Sequence, residues 1–295
     1  MGNRVSTIAA RFQRHWPTIA ACAVVLVLAA TTAATGLSSR DPVLPYTAGG
    51  QTLWGMRPTA VGLPDIGESG TVGAGAFSAA LRSYHDSGAY NRDLVAVAGA
   101  ARQYIAQRLA AARSGHRTCT VSYVPVQHIP SYGTLYRRVR PCRTEPLKGK
   151  AALVLDIDET SLSNYADLSA HDFNSGALAL SAAAGHGTAI VPTLRLYRDA
   201  TARGVKVFFV TGRPAALQSI TQANLRQAGY DKGWAGFFAK PPTAGVEKFK
   251  AATRATIQRR GYDIVANVGD QQSDLDGGHA DRVFKLPDPF YFIAN

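Results

Sequence analysis

The stretch Leu153-Val154-Leu155-Asp156-Ile157-Asp158-Glu159-Thr160 limits what this chain can fold into more than any other. An apolar run from Ala151 to Leu155 leads straight into three carboxylates. A short, fully apolar run is the mark of a strand buried on both faces of a parallel sheet. Such a strand cannot keep carboxylates in its interior, so the acids belong where it emerges. That is the carboxyl edge of the sheet, where ligands of open α/β folds bind. Asp156 and Asp158, two residues apart, leave the strand on the same side. Like charges this close are costly unless a cation sits between them or one acid is protonated. A hard divalent ion that prefers oxygen ligands, Mg²⁺ first among them, fits that spot. The competing reading is an acidic turn that caps the next helix, with Asp158 or Thr160 as N-cap.

The chain beyond this turn repeats the pattern. Residues 161–191 are Ser- and Ala-rich, with Asn164, Tyr165, Phe173 and Gly185-His186-Gly187. They predict an irregular insertion over the carboxyl end of the first strand. Pro192 opens a helix that Gly204 closes, and Val205 to Val210 predicts a second buried strand ending in Thr211-Gly212-Arg213-Pro214. A helix over 215–228, a short strand at Gly236 to Ala239 and a helix from Val246 to Arg260 follow. Ile264 to Val268 predicts another strand, ending in Gly269-Asp270-Gln271-Gln272-Ser273-Asp274, and Arg282 to Leu286 a last one. Strands alternating with helices mean a parallel sheet with right-handed crossovers. Three of these strands end in polar chemistry, and only at the carboxyl end. In such a sheet those tips meet in one place.

The amino-terminal part is organised differently. Residues 1–38 read as a targeting segment: Arg4, Arg11 and Arg14 precede an uninterrupted apolar run from Ile19 to Ala30, and small residues follow at Thr32-Ala33-Ala34. Either this is a cleaved signal peptide, or residues 17–37 stay as a membrane anchor, since the run approaches the roughly 20 residues needed to span a bilayer. Both place the rest of the chain outside the cytoplasm. Ile19-Ala20-Ala21-Cys22 is not a lipoprotein box, because the apolar run continues past the cysteine. Residues 39–75, rich in Gly, Pro, Ser and Thr, read as a flexible tether. From Asn91 to Arg113 the residues Leu94, Val97, Ala98, Ala101, Ile105 and Leu109 recur at helical spacing, giving an amphipathic helix ahead of the sheet. Cys119 and Cys142 bracket a segment of alternating and turn-forming residues. Neither belongs to a C-x-x-C, so a zinc site is disfavoured. In an exported chain they most simply pair as a disulfide, the alternative being two separate thiols. The chain is basic, with a net charge of +12. Its Arg residues are scattered rather than clustered, so no nucleic-acid polymer is indicated as a partner.

Taken together, these motifs resemble the haloacid dehalogenase-like (HAD) superfamily, and within it the class B acid phosphatases. The superfamily's four signatures stand in order: Asp156-Ile157-Asp158-Glu159-Thr160, Thr211 in its Gly-Arg-Pro turn, a helical Lys, and Gly269-Asp270 with Asp274. The branch is marked by Phe208 to Pro214, by Gly269 to Leu275, and by Leu286-Pro287-Asp288-Pro289-Phe290-Tyr291-Phe292. The resemblance spans residues 76–295. It implies a three-layer α/β fold with a doubly wound parallel sheet, a small cap at 161–191 and a helical extension before the sheet. It also implies an exported, Mg²⁺-dependent acid phosphatase acting on small phosphomonoesters. Its non-catalytic storage relatives supply the alternative reading, and phosphotransfer to an alcohol supplies another.

The same resemblance implies the roles of the site residues. Asp156 would be the nucleophile and Asp158 the acid/base. Thr211, with Gly212 and Arg213, would bind the phosphoryl group, and Lys250 would offset charge. The metal would be held by Asp156, Asp158 through its backbone carbonyl, Asp270 and Asp274. The choice of Lys250 over Lys248 also follows from periodicity. At about 100° per residue, Val246, Phe249, Thr253 and Ile257 share one face, with Lys250 at its edge and Lys248 on the opposite side.

Overall fold

The computed structural model describes residues 78–291, except 115–117, 120–121, 130–132, 140–141, 144–145 and 232, together with two strands at 44–48 and 51–55. The elements in chain order begin with strands β1 (Leu44–Ala48) and β2 (Gln51–Gly55) and helices α1 (Ser78–Asp86) and α2 (Ala89–Ser114). Four strands follow: β3 (Thr118–Cys119), β4 (Ser122–Ile129), β5 (Gly133–Val139) and β6 (Cys142–Arg143). The central part runs β7 (Lys150–Leu155), β8 (Leu162–Ser163), α3 (Tyr165–Ala170), α4 (Ser175–Ala184), β9 (Thr188–Ala189), α5 (Val191–Ala202) and β10 (Lys206–Pro214). The rest is a short 3₁₀ turn at Ala215–Leu217, then α6 (Gln218–Gln227), β11 (Gly236–Lys240), α7 (Val246–Arg259), β12 (Tyr262–Gly269), α8 (Gln272–Leu275) and β13 (Val283–Lys285).

The main sheet has the order β1-β2-β13-β12-β7-β10-β11. Strand β7 lies between β12 and β10 and is parallel to both. Successive residues of β7 face opposite sides, and both sides are buried. Leu153 and Leu155 join Val207, Phe209, Ala266 and Val268 in one cluster. Ala152 and Val154 join Phe208, Val210 and Ile264 in the other, against Ile257 of α7. That explains the unbroken apolar run: this strand has no solvent face. Helices α2 and α5 pack together on the first side. The result is the three-layer α/β arrangement anticipated for this alternation of elements.

Two expectations change. The tether predicted for 39–75 contains the antiparallel hairpin β1–β2, and β2 pairs in parallel with β13 through Phe284↔Trp54 and Lys285↔Gly55. The backbone groups of β13 on that side are thereby paired rather than left as an open edge. The missed signal was Gly49-Gly50, a two-residue connection of the kind tight hairpins use. The second change concerns 161–191, which is regular. It holds α3, α4 and the antiparallel pair β8–β9. Helix α4 has the sequence SGALALSAAA, with Asn174 as N-cap accepting from the Gly176 N–H and Gly185 in the left-handed region at its end. Ala-rich sequence is intrinsically good helix, but the stretch has no amphipathic period to betray it.

The residues proposed as a targeting segment lie outside the described part of the chain. Among the described residues no helix is long and apolar enough to cross a membrane. Strands β3 and β6 pair antiparallel, and Cys119 stands directly opposite Cys142 in the ladder.

Candidate active site

The parallel register carries the tips of β7, β10 and β12 to one end of the sheet. The backbone N–H of Asp156 donates to the Val268 carbonyl at 3.0 Å, so the chain leaves β7 still tied to β12. It then turns rather than starting a helix: Ser161 and Leu162 N–H both donate to the Ile157 carbonyl, and Glu159 adopts φ 44°. The first helix after the turn is α3, so the helix-cap reading of Asp158 and Thr160 does not hold.

Lys250 reaches this cluster from α7. Its ammonium donates to Asp156 Oδ1 at 2.5 Å and also to Asp274 Oδ1. Lys250 is 3% exposed, whereas Lys248 is exposed, so the helical register expected from the sequence is the one observed. Burial works against the Lys250 charge, but Asp156 and Asp274 outweigh it and hold the pKa above its usual value. Burial, reinforced by Asp274, pushes the Asp156 carboxyl well up, with Lys250 opposing.

Asp158 is held on the other side of the cavity. Arg213 donates from Nε to both of its oxygens at 3.1 Å and from Nη2 to Oδ1 at 2.7 Å. Asn164 Nδ2 adds a bond of 2.9 Å to Oδ1. Arg213 is therefore engaged with Asp158 rather than left open for a phosphoryl group. Its backbone N–H is also committed, donating to Thr211 Oγ1 at 3.1 Å. Thr211 itself is fully buried, and the hydroxyl that accepts this bond keeps its own hydrogen to donate elsewhere.

Asp270 emerges from β12 after Gly269, where a Cβ would collide with the Asp274 side chain. Asp274 sits in the first turn of α8, with Oδ2 accepting from the Gln271 N–H at 2.8 Å. Arg254, one turn after Lys250 on α7, donates to the backbone carbonyls of Asp274, Asp276 and Gly278 and so fixes the α8 turn. Burial, then Asp274, raises the Asp270 carboxyl above its usual value.

Asp156, Asp270 and Asp274 each present an oxygen within 4.8 Å of the others, and all three are buried. The donors are all hard oxygens, which suits Mg²⁺ or a similar ion rather than zinc. These residues fit such an ion. Asp156 and Asp274 are paired with Lys250 and Asp158 with Arg213, and the Lys285 charge acts on Asp270.

The predicted residues Asp156, Asp158, Gly212, Arg213, Lys250 and Asp274 line one cavity of about 220 Å³, whose outer wall is Leu178, Ala179 and Ala182 of α4 opposite Pro214 and Leu217. Helix α4, from the 161–191 stretch, thus contributes to the cavity wall. Several participants were not predicted. Thr160 Oγ1 donates to Asp270 Oδ1 at 2.7 Å. Tyr90 of α2 donates to Glu159 Oε2 at 3.1 Å, and the Asn164 N–H donates to Glu159 Oε1. Burial pushes the Glu159 carboxyl up to about 8. Tyr291 reaches the cavity from the chain's far end. Asn164 follows the acids in the same turn, whereas Tyr90, 69 residues from Glu159, is brought to them by the fold.

A three-layer α/β fold with acids, a threonine turn and a buried lysine at one sheet end defines a HAD-like protein. The chain belongs to the HAD superfamily, subfamily IIIB (acid phosphatase), whose family model matches residues 106–294. Among curated relatives, the stem 28 kDa glycoprotein of Glycine max is 38% identical over 155 residues, covering 49% of this chain and 61% of that protein. Acid phosphatase 1 of Solanum lycopersicum is 33% identical over 153 residues, 49% of this chain and 60% of that protein. Vegetative storage protein 1 of Arabidopsis thaliana is 30% identical over 150 residues, 48% of this chain and 55% of that protein. The match therefore spans a little over half the length of these relatives. Among solved structures, the class C acid phosphatase from Bacillus anthracis superposes with a TM-score of 0.48 at 18% identity, covering 72% of this chain and 84% of that one.

Proposed function

We propose that this chain is an exported, Mg²⁺-dependent acid phosphatase that hydrolyses small phosphomonoesters through an aspartyl-phosphate. The observation that carries the reading is Asp156. It is a carboxylate at the tip of a central strand, in a cavity, with Lys250 at 2.5 Å and two further acids placed to share a cation. Membership in a family named for acid phosphatases supports it.

In this reading Asp156 attacks phosphorus, the P–O bond to the alcohol breaks, and Asp158 gives the leaving oxygen its proton. Water then attacks the phosphorus of the aspartyl-phosphate. Asp158 takes the water's proton, orthophosphate departs and Asp156 is restored. Lys250 compensates Asp156 and Asp274, so that an anionic ester can approach an anionic nucleophile. An arriving phosphoryl group offers Arg213 a second anion suited to its fork, which would release Asp158 for proton transfer. The Thr211 hydroxyl and the Gly212 turn cradle the phosphoryl oxygens. Mg²⁺ held by Asp156, the Asp158 carbonyl, Asp270 and Asp274 would supply further charge neutralisation. Export rests on residues 1–38 and is consistent with the glycoprotein among the relatives.

A second reading, non-catalytic storage, is favoured by the relatives named vegetative storage proteins. It is weakened here because Asp156, Asp158, Thr211, Lys250, Asp270 and Asp274 are all present. Assaying the purified protein against a panel of phosphomonoesters, with and without Mg²⁺, separates the two. Phosphate release that needs Mg²⁺ is expected. No release from any ester would leave storage as the better account.

A further inference from the structure

The acids of the site are held in two different ways. Asp156 and Asp274 share the Lys250 ammonium, and Asp158 is paired with Arg213. Asp270 is fully buried, and the Lys285 charge offsets part of what burial and Asp274 impose on it. It is held by neutral donors on both oxygens: Thr160 Oγ1 on Oδ1 at 2.7 Å, and Gln271 Nε2 at 2.8 Å with the Tyr291 hydroxyl at 2.9 Å on Oδ2. Neutral donors fix the direction of a carboxylate without cancelling its charge. They leave its charge available to a cation, which is how outer partners tune a metal ligand.

Of the three donors, Tyr291 comes from the run that follows β13, 21 residues beyond Asp270. The run Leu286 to Tyr291 is buried throughout. Phe290 packs edge-on against Tyr90 at 4.8 Å and against Tyr165 at 5.1 Å, and stacks on Phe173 at 5.7 Å. Asp288 accepts from the Phe290 N–H at 2.8 Å and from Gln271 Nε2 at 3.0 Å, so the same run steadies a second donor to Asp270. Phe290 is thus an anchor among α2 and the 161–191 stretch, and the next residue places its hydroxyl on Asp270. Tyr291 is 3% exposed, yet its side chain borders the cavity beside Asp156 and Asp158.

We infer that Tyr291 is a positioning residue for the metal site, its hydroxyl aiming the Asp270 carboxylate at the cation. This rests on the Mg²⁺ reading above, and the test separates the two. Tyr291→Phe removes one hydroxyl and keeps the ring. Mg²⁺ binding to the full-length protein, titrated calorimetrically without substrate, should weaken about tenfold or more, the usual effect of losing an outer-shell partner. Thermal stability in EDTA should stay close to wild type, because the ring packing remains. Phe290→Leu should behave in the opposite sense, lowering stability in EDTA more than Mg²⁺ affinity. An unchanged Mg²⁺ affinity in Tyr291→Phe would overturn the inference while leaving the metal reading intact. Absence of Mg²⁺ binding in the wild type would overturn both.

Discussion

Arg213 bonds both oxygens of Asp158, and that geometry sets what its replacement should do. Lys is a point charge without the planar fork, so Arg213→Lys should loosen Asp158 and weaken capture of the phosphoryl group together. Steady-state kinetics should show a raised KM and a lowered kcat; a change in neither would mean that the pair is only structural. Lys250 gives a sharper contrast. Lys250→Ala strands two buried carboxylates, which should cost about 3–5 kcal/mol of stability and lower kcat/KM by about 100-fold or more. Lys248→Ala, on the exposed side of the same helix, should be close to neutral. Asp156→Asn should stay folded and lose turnover, since an amide cannot form the acyl-phosphate; activity near wild type would remove Asp156 as nucleophile. The placement of these residues at one sheet end was legible in the sequence because acids at strand ends and a lysine at a helix-face edge are local patterns. Tyr291, Tyr90 and Thr160 act across sequence gaps of 21, 69 and 110 residues. No spacing rule reaches that far.

At the scale of elements, the parallel strands were readable from their apolar runs, and each was found within a few residues of its predicted place. The exceptions share a cause. Helix α4 and the β1–β2 hairpin lack the periodic contrast between apolar and polar positions on which such reading depends. Helix α4 is mostly Ala and Leu, and its part in the cavity wall comes from where the chain puts it. The β3–β6 pair carries its own prediction. Cys119 and Cys142 are direct cross-strand partners, and backbones of such pairs approach to within the separation a disulfide spans. Mass spectrometry of non-reduced peptides should find the two joined, and reduction should cost about 3 kcal/mol of stability, as expected for a loop of this size. Free thiols at both positions would refute the pairing.

The whole molecule concentrates buried acid at one end of its sheet, and this makes its stability depend on pH and on metal together. Burial raises the carboxyls of Asp156, Asp270, Asp288 and Glu159 alike, Glu159 to about 8 from an ordinary 4.5. A carboxyl raised by folding binds its proton more tightly in the native chain than in the unfolded one. Its contribution is fully present below the unfolded value and is lost as pH rises through the folded one. For Glu159 that window runs from about 4.5 to about 8. In EDTA the melting temperature should therefore fall between pH 5 and pH 8. The net positive charge also grows on acidification, so the slope alone is not diagnostic. The comparison with Glu159→Gln is: an amide cannot ionise, so the variant should show a shallower fall. Saturating Mg²⁺ should also flatten it, because a ligand that binds only the native state adds stability and this one prefers ionised carboxylates. A Glu159→Gln slope equal to wild type in EDTA would show that Glu159 does not carry its proton into the folded core.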